Sequence, residues 1–155
     1  MSEEINTTIK VVGSVEQVDQ FYNQIKHKLL EYNRMTQVKF NKLPDDYKIF
    51  FCSPDLFNIG GEFRSDYDFR KNYKIIEDGQ IAILEFVEFE TRKRSFPEKW
   101  FTDITKDLYD IVVEVKMVGD CTGAWTMKLW GREVIQSEYN SIVLSLAPEN
   151  ILQHF

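Results

Sequence analysis

Cysteine and histidine are both scarce in this 155-residue chain: Cys52 and Cys121 are its two thiols, His27 and His154 its two imidazoles. Two thiols cannot build a four-cysteine zinc knuckle or hold an iron–sulfur cluster by four thiolates within one chain. Neither cysteine has a histidine near it in sequence, so a thiol nucleophile would have only distant groups to activate it. His27 falls on the polar side of a helical pattern and His154 one residue from the end. A solvated ring is the simpler reading of each. Also missing are a Gly-x-Gly-x-x-Gly turn, a phosphate loop ending in Gly-Lys-Ser/Thr and a Gly-x-Ser-x-Gly elbow. No residue is thereby nominated as catalytic, and no cofactor is implied.

Positive charge is not in excess either. Lys and Arg number 19 against 25 Asp and Glu, a net charge of −6, which is the wrong balance for a protein that wraps DNA. No apolar run approaches the roughly 18 residues of a membrane-spanning helix. The opening Met1-Ser2-Glu3-Glu4 lacks the basic start and apolar stretch of a secretory leader. The expected setting is cytoplasmic and away from membranes, with both cysteines reduced and buried. What the chain does have is core material: 43% hydrophobic residues, including 12 Phe, 7 Tyr and 3 Trp. That composition belongs to a folded domain rather than an acidic tail, and the length fits one domain over 1–155.

Ile5–Val12 is rich in β-branched residues and reads as a strand ended by Gly13. Ser14-Val15-Glu16-Gln17 has the form of a capping box, its hydroxyl accepting from a free amide and Gln17 reaching back. Val18, Phe21, Tyr22, Ile25, Leu29 and Tyr32 then recur at spacings of three and four, an apolar helical stripe. Thr36–Phe40 reads as a short strand and Asn41–Asp46 as a turn. Ile49–Cys52 suits either a buried strand or a packed loop, and residues 53–72 form an irregular insert or long loop. Tyr73–Ile76, Glu77–Gln80 and Ile81–Glu90 read as a hairpin, with Asp78-Gly79 supplying positive φ at two central turn positions. A second box, Ser95-Phe96-Pro97-Glu98, opens a helix whose stripe of Phe96, Trp100, Phe101, Ile104 and Leu108 ends near Asp110. Strands follow at 111–118, 124–130, 133–139 and 141–146, and Pro148–Phe155 closes with a helical turn. The order β-α-β-β-β-α-β-β-β describes an α+β domain. Two helices pack on one face of a mixed, mainly antiparallel sheet that ends in a C-terminal β meander.

Three groups of side chains stand out. Glu85, Glu88 and Glu90 share the long strand. Glu88 and Glu90, with Asp103 or Glu114, have the oxygens a hard cation takes. Carboxylates at a strand end more simply protect an edge, so no metal is assigned. The basic run Arg92-Lys93-Arg94 interrupts the acidic chain before a helix. With Tyr73, Phe86, Trp125 and Trp130 on one sheet face, it would frame a platform for RNA or single-stranded DNA. At net −6 a solvated loop beside core aromatics is favoured. In Ala124–Trp130 the face of Trp125, Met127 and Leu129 is apolar and the other amphipathic, which sets Trp130 opposite the helices as a binding anchor. A strand at the end of a meander also invites pairing with a partner or with a second copy, a homodimer through a sheet edge.

A strand into Gly13-Ser14, a helix carrying Phe21 and the run Phe40-Asn41-Lys42-Leu43-Pro44 are followed by Phe89-Glu90-Thr91, Pro97, Trp100 and Gly123. This succession resembles the YubB/Api-type proteins of plasmids, phages and integrated elements. The family's Trp-Gly-Thr-Lys-Trp-Asp segment is replaced here by Asp66–Tyr73. The resemblance implies a ferredoxin-like βαββαβ sandwich, without a cluster, and a mobile-element setting; it implies no activity. An acidic single domain in that setting is expected to be a non-catalytic protein-binding module. The expected role is counter-defence, an anti-CRISPR-like inhibitor occupying a basic surface of a host nuclease such as a CRISPR effector. Glu85, Glu88, Glu90, Asp66 and Asp68 would steer it to a Lys/Arg-lined groove, with Trp130 as the apolar anchor. RNA or single-stranded DNA binding through the sheet face and Arg92, Lys93 and Arg94 is the alternative, and an enzyme ranks third.

Overall fold

The computed structural model describes residues 5–33, 35–44, 49–50, 70–86, 90–91, 98–119, 123–137 and 147–155. Its first half runs β1 (Ile5–Ser14), α1 (Val15–Asn33), α2 (Gln37–Asn41), β2 (Ile49–Phe50), β3 (Arg70–Ile76) and β4 (Ile81–Phe86). Its second half runs β5 (Glu90–Thr91), α3 (Glu98–Thr105), β6 (Ile111–Gly119), β7 (Gly123–Trp130), β8 (Glu133–Ser137) and α4 (Glu149–Leu152). Six strands form one sheet in the order β3-β4-β1-β6-β7-β8, while β2 and β5 pair with each other. The fold is α+β, as the order of motifs implies. Every pairing among the described residues is antiparallel, so no mixed sheet is found there.

Alternation sorts each strand onto two faces. Ile9 and Val11 of β1, Ala82 and Leu84 of β4, Val113 and Val115 of β6, and Met127 and Leu129 of β7 fall on the first face, all buried. They join Val18, Phe21 and Ile25 of α1 and Trp100, Phe101 and Ile104 of α3 in a single cluster. The spacing of three and four along each helix is what turns these residues to one side. Trp100 and Phe101, both fully buried, meet edge to face with ring centroids 4.9 Å apart. Burial of each such ring contributes about 1.5–3 kcal/mol.

The junctions hold the layers in register. Ser14 Oγ accepts from the Gln17 amide at 3.3 Å, as its cap position requires. Gln17 does not complete the box. Its Oε1 instead accepts from the Asp110 amide at 2.8 Å, while the Ser14 amide donates to the Asp110 carbonyl at 2.9 Å. The start of α1 is thereby fastened to the entry of β6.

The β3–β4 hairpin forms through residues 77–80, with Asp78 and Gly79 at positive φ as expected and Glu77 at positive φ too. Of the strand expected over 81–90, Ile81–Phe86 forms β4 and Glu90–Thr91 pairs with Ile49–Phe50, while 87–89 lie outside the described residues. Two local expectations change. Thr36–Phe40 is not a strand: the Thr36 hydroxyl accepts from the Lys39 amide at 3.3 Å and Gln37 donates to Asn41 at 3.0 Å, which starts the short helix α2. Helix α3 ends at Thr105 rather than near Asp110. The Thr105 hydroxyl, 1% exposed, reaches across to the Gly131 carbonyl at 2.6 Å, and the Leu108 amide closes a turn on the Thr105 carbonyl. That turn still buries Leu108 but redirects the chain towards Ser14. The Ser95–Glu98 cap and the strand expected over 141–146 lie outside the described residues, as does most of the 53–72 insert.

Candidate functional site

The second face of the sheet divides into two unlike halves. At one end Val12, Ile81, Ile83 and Val112 are roofed by Ala147 and Ile151, with Trp130, Leu152 and Phe155 packed at the margin. This roof is α4 and its flanks, laid on the side away from α1 and α3. One register step along, the strands turn from aliphatic to charged. Asn72 of β3 stands opposite Glu85 of β4, and Glu85 opposite Lys10 of β1. Lys10 in turn stands opposite Glu114 of β6, Glu114 opposite Lys128 of β7, and Lys128 opposite Gln136 of β8. A polar row of alternating charge therefore crosses all six strands. The next row on the same face holds Thr8, Lys116 and Thr126.

Cross-strand neighbours of opposite sign attract. Glu114, its side chain 13% exposed, accepts ion pairs from Lys116 at 3.5 Å and Lys128 at 3.6 Å. Lys10 is drawn upward to the tail, where its Nζ donates to the His154 carbonyl at 2.6 Å. Two ammonium groups approach the Phe155 ring, with Lys10 Nζ and Lys128 Nζ each 5.2 Å from its centroid. Such cation–ring contacts hold the tail against the charged row. Glu77 in the β3–β4 turn secures the same tail, facing His154 Nε2 at 3.1 Å and accepting from Gln153 at 3.3 Å.

The result is an open trough. One cleft of about 430 Å³ is lined by Lys10, Asn72, Tyr73, Lys74, Ile83, Glu85 and His154. A second, of about 270 Å³, is lined by Thr8, Lys10, Glu85, Glu114, Lys116 and Phe155. Lys10 and Glu85 line both. Among the residues lining the two clefts, Lys10, Lys74 and Lys116 stand with Glu85 and Glu114. Lys128, Glu133 of β8, Glu149 of α4 and Glu77 lie on the same side of the sheet, so this side mixes both signs.

Of the residues singled out in the sequence, Glu85 lies in this trough among lysines, not in an acidic patch. Glu90 belongs to the separate β2–β5 pair, opposite Phe50. Glu88, Asp66, Asp68, Arg92, Lys93 and Arg94 lie outside the described residues. Trp130 does sit opposite the helices, but half-buried: its indole N–H donates to the Tyr109 carbonyl at 2.8 Å, and its ring meets Tyr109 edge to face at 5.2 Å. Its polar handle is used by its own chain. The four-aromatic platform is not assembled, because pleat parity sends Tyr73 and Trp125 to the helix side and Trp130 to the other. Trp125 is 3% exposed within the main core. The Tyr73 hydroxyl instead donates to Asp19 of α1 at 3.5 Å. Burial, then the Asp19 charge and hydrogen bond, raises its pKa above the usual 10.0, with Arg70 opposing. Glu114, named as a ligand for a cation, is occupied by two lysines. Among the described residues no group of three or more His, Cys, Asp or Glu is placed to hold a metal ion.

Sequence reading missed Lys10, Lys116, Lys128 and Phe155. Their signal was Glu114 and Lys116 spaced by two in β6 and Lys128 in β7, which gains meaning only once strand order sets Glu114 between Lys10 and Lys128. The chain matches no protein-family model, no curated protein and no solved structure. None of the described helices is long and apolar enough to cross a membrane.

Proposed function

We propose that this chain is a non-catalytic protein-binding module of a mobile genetic element, whose acidic helical side docks on a Lys/Arg-lined surface of a host protein. A nucleic-acid groove of a defence nuclease, such as a CRISPR effector, has the complementary chemistry. The observation that carries this reading is the set of carboxylates along the outer faces of α1 and α3. There α1 exposes Glu16, Asp19 and Glu31, and α3 with its following turn exposes Glu98, Asp103, Asp107 and Asp110. The same two elements carry Lys26, Lys28, Lys99 and Lys106, while Lys39, Lys42 and Arg70 stand beside them on α2, its following turn and β3. Carboxylates on a surface steer diffusional encounter with basic partners and disfavour acidic ones.

The mobile-element setting rests on the resemblance to the YubB/Api-type proteins. The ferredoxin-like reading draws on the segment β3-β4-β1-β6, with α1 lying between β1 and β3 in the chain and α3 between β4 and β6. The setting proposed is cytoplasmic. An outer strand of the sheet, β3 or β8, offers the edge through which a second copy would pair.

Affinity capture of the tagged protein from a host lysate, with and without nuclease, tests the reading. A stoichiometric protein partner that survives nuclease and is released by salt is the expected result. Recovery of nucleic acid alone, or of proteins lost on nuclease treatment, would contradict it.

A further inference from the structure

The helix side does not account for the trough on the opposite face, to which four strands contribute lysines. We infer that this trough is a second binding site, and that its ligand is single-stranded nucleic acid. The inference goes beyond the protein-docking reading and uses none of its residues. Three observations converge on it. First, Lys74 on β3, Lys10 on β1, Lys116 on β6 and Lys128 on β7 stand on one face of one sheet, spread over four strand spacings. At the usual interstrand distance this is about 19 Å, the length of several nucleotides. A row of ammonium groups at such intervals neutralises successive phosphates. Second, the two open clefts lie on either side of Lys10 and Glu85, which line both. Third, the Phe155 ring lines the second cleft, with two of these ammonium groups each 5.2 Å from its centroid. An aromatic ring beside phosphate-binding cations is the arrangement on which an unpaired base stacks.

The carboxylates have a place in this chemistry. Glu114 is neutralised by Lys116 and Lys128, so without a ligand the trough holds its own counter-charge. A bound phosphate would compete with Glu114 for those lysines. Replacing that carboxylate by an amide releases them, and Glu114→Gln is therefore expected to bind more tightly than the wild type.

The inference also differs in its residues from the basic-loop expectation. It places the contacts at Lys74 and Lys116, not at Arg92, Lys93 and Arg94. Lys74 is exposed and the Lys116 side chain 57% exposed, so charge reversal at both leaves the core intact. The test is fluorescence anisotropy of a short labelled oligouridine, titrated with the full chain at several salt concentrations. The wild type is expected to bind at low salt, and binding is expected to weaken as salt rises. Lys74→Glu with Lys116→Glu should weaken binding about tenfold or more and flatten the salt dependence by roughly 0.7 per lost phosphate contact. Phe155→Ala should weaken binding while leaving the salt slope unchanged. Reversal at Arg92, Lys93 and Arg94 alone should leave most of the affinity in place. The inference is overturned if the wild type does not bind, if the lysine reversals have no effect, or if the loop reversal alone abolishes binding. It also fails if polyglutamate competes as well as unlabelled oligouridine, since the trough would then read acidic peptide. Loss of the captured protein partner in the preceding experiment would not bear on any of these outcomes.

Discussion

Gly13 and Gly131 are positions where a single methyl group would meet close neighbours, backbone at the first and the Tyr109 ring at the second. A Cβ on Gly13 would run into the Asp110 carbonyl oxygen and come within 2.6 Å of Ile111 Cα, both backbone atoms of the strand entry fastened to Ser14. Gly13→Ala is expected to lower stability by about 1–3 kcal/mol through forced separation of β1 and β6, measured by urea unfolding; an unchanged midpoint would deny the close approach. Gly131, at φ +56, supports the β7–β8 turn with the Tyr109 ring directly over it. Tyr73 makes a different prediction. Its folded pKa is raised, so the neutral phenol is favoured in the native state. Its contribution is fully present below the ordinary value of 10.0 and is lost as pH rises through the higher folded value. Above pH 10 the wild type should therefore lose stability more steeply than Tyr73→Phe. Parallel pH profiles for the two proteins would refute the Asp19 contact.

Elements were legible in the sequence wherever a cap or an unbroken apolar stripe announced them. Ser14 with the stripe from Val18 specified α1, and the alternation of Trp125, Met127 and Leu129 specified β7. What failed were boundaries set by distant partners. Gln17 carries the signature of a capping box, yet its side chain serves Asp110, 93 residues on. Thr105 ends α3 early because its hydroxyl has Gly131 to reach, and Thr36–Phe40 misread as a strand because its Val and Phe outweighed a local cap. Two variants test these junctions. Ser14→Ala should cost about 1 kcal/mol through loss of the helix cap. Thr105→Val should cost about 1–3 kcal/mol, because the buried Gly131 carbonyl loses its donor. A neutral Thr105→Val in thermal unfolding would show that the bridge to β7–β8 carries no stability.

At the scale of the whole molecule, net charge proved a poor guide to where charge lies. The total of −6 argued against nucleic acid, but an average hides where each lysine and carboxylate stands. Local runs drew the eye to Arg92–Arg94, while the lysines that share one face of β1, β6 and β7 are scattered through 119 residues, from Lys10 to Lys128. Only antiparallel register brings them together. Trp130 illustrates the same limit: alternation placed it correctly opposite the helices, but its bond to Tyr109 depends on a turn the pattern does not encode. Docking through the helix side and nucleic-acid binding through the trough should both weaken as ionic strength rises, but each should respond to a different set of substitutions.

The most direct measurement compares capture from a nuclease-treated host lysate by the wild type, by a helix-side variant and by a trough variant. The helix-side variant carries Glu31→Gln, Glu98→Gln and Asp107→Asn, and the trough variant Lys74→Glu and Lys116→Glu. The account predicts that the wild type and the trough variant retain the same protein partner, and that the helix-side variant loses it. Retention of that partner by the helix-side variant, with capture indifferent to salt, would contradict an acidic docking surface.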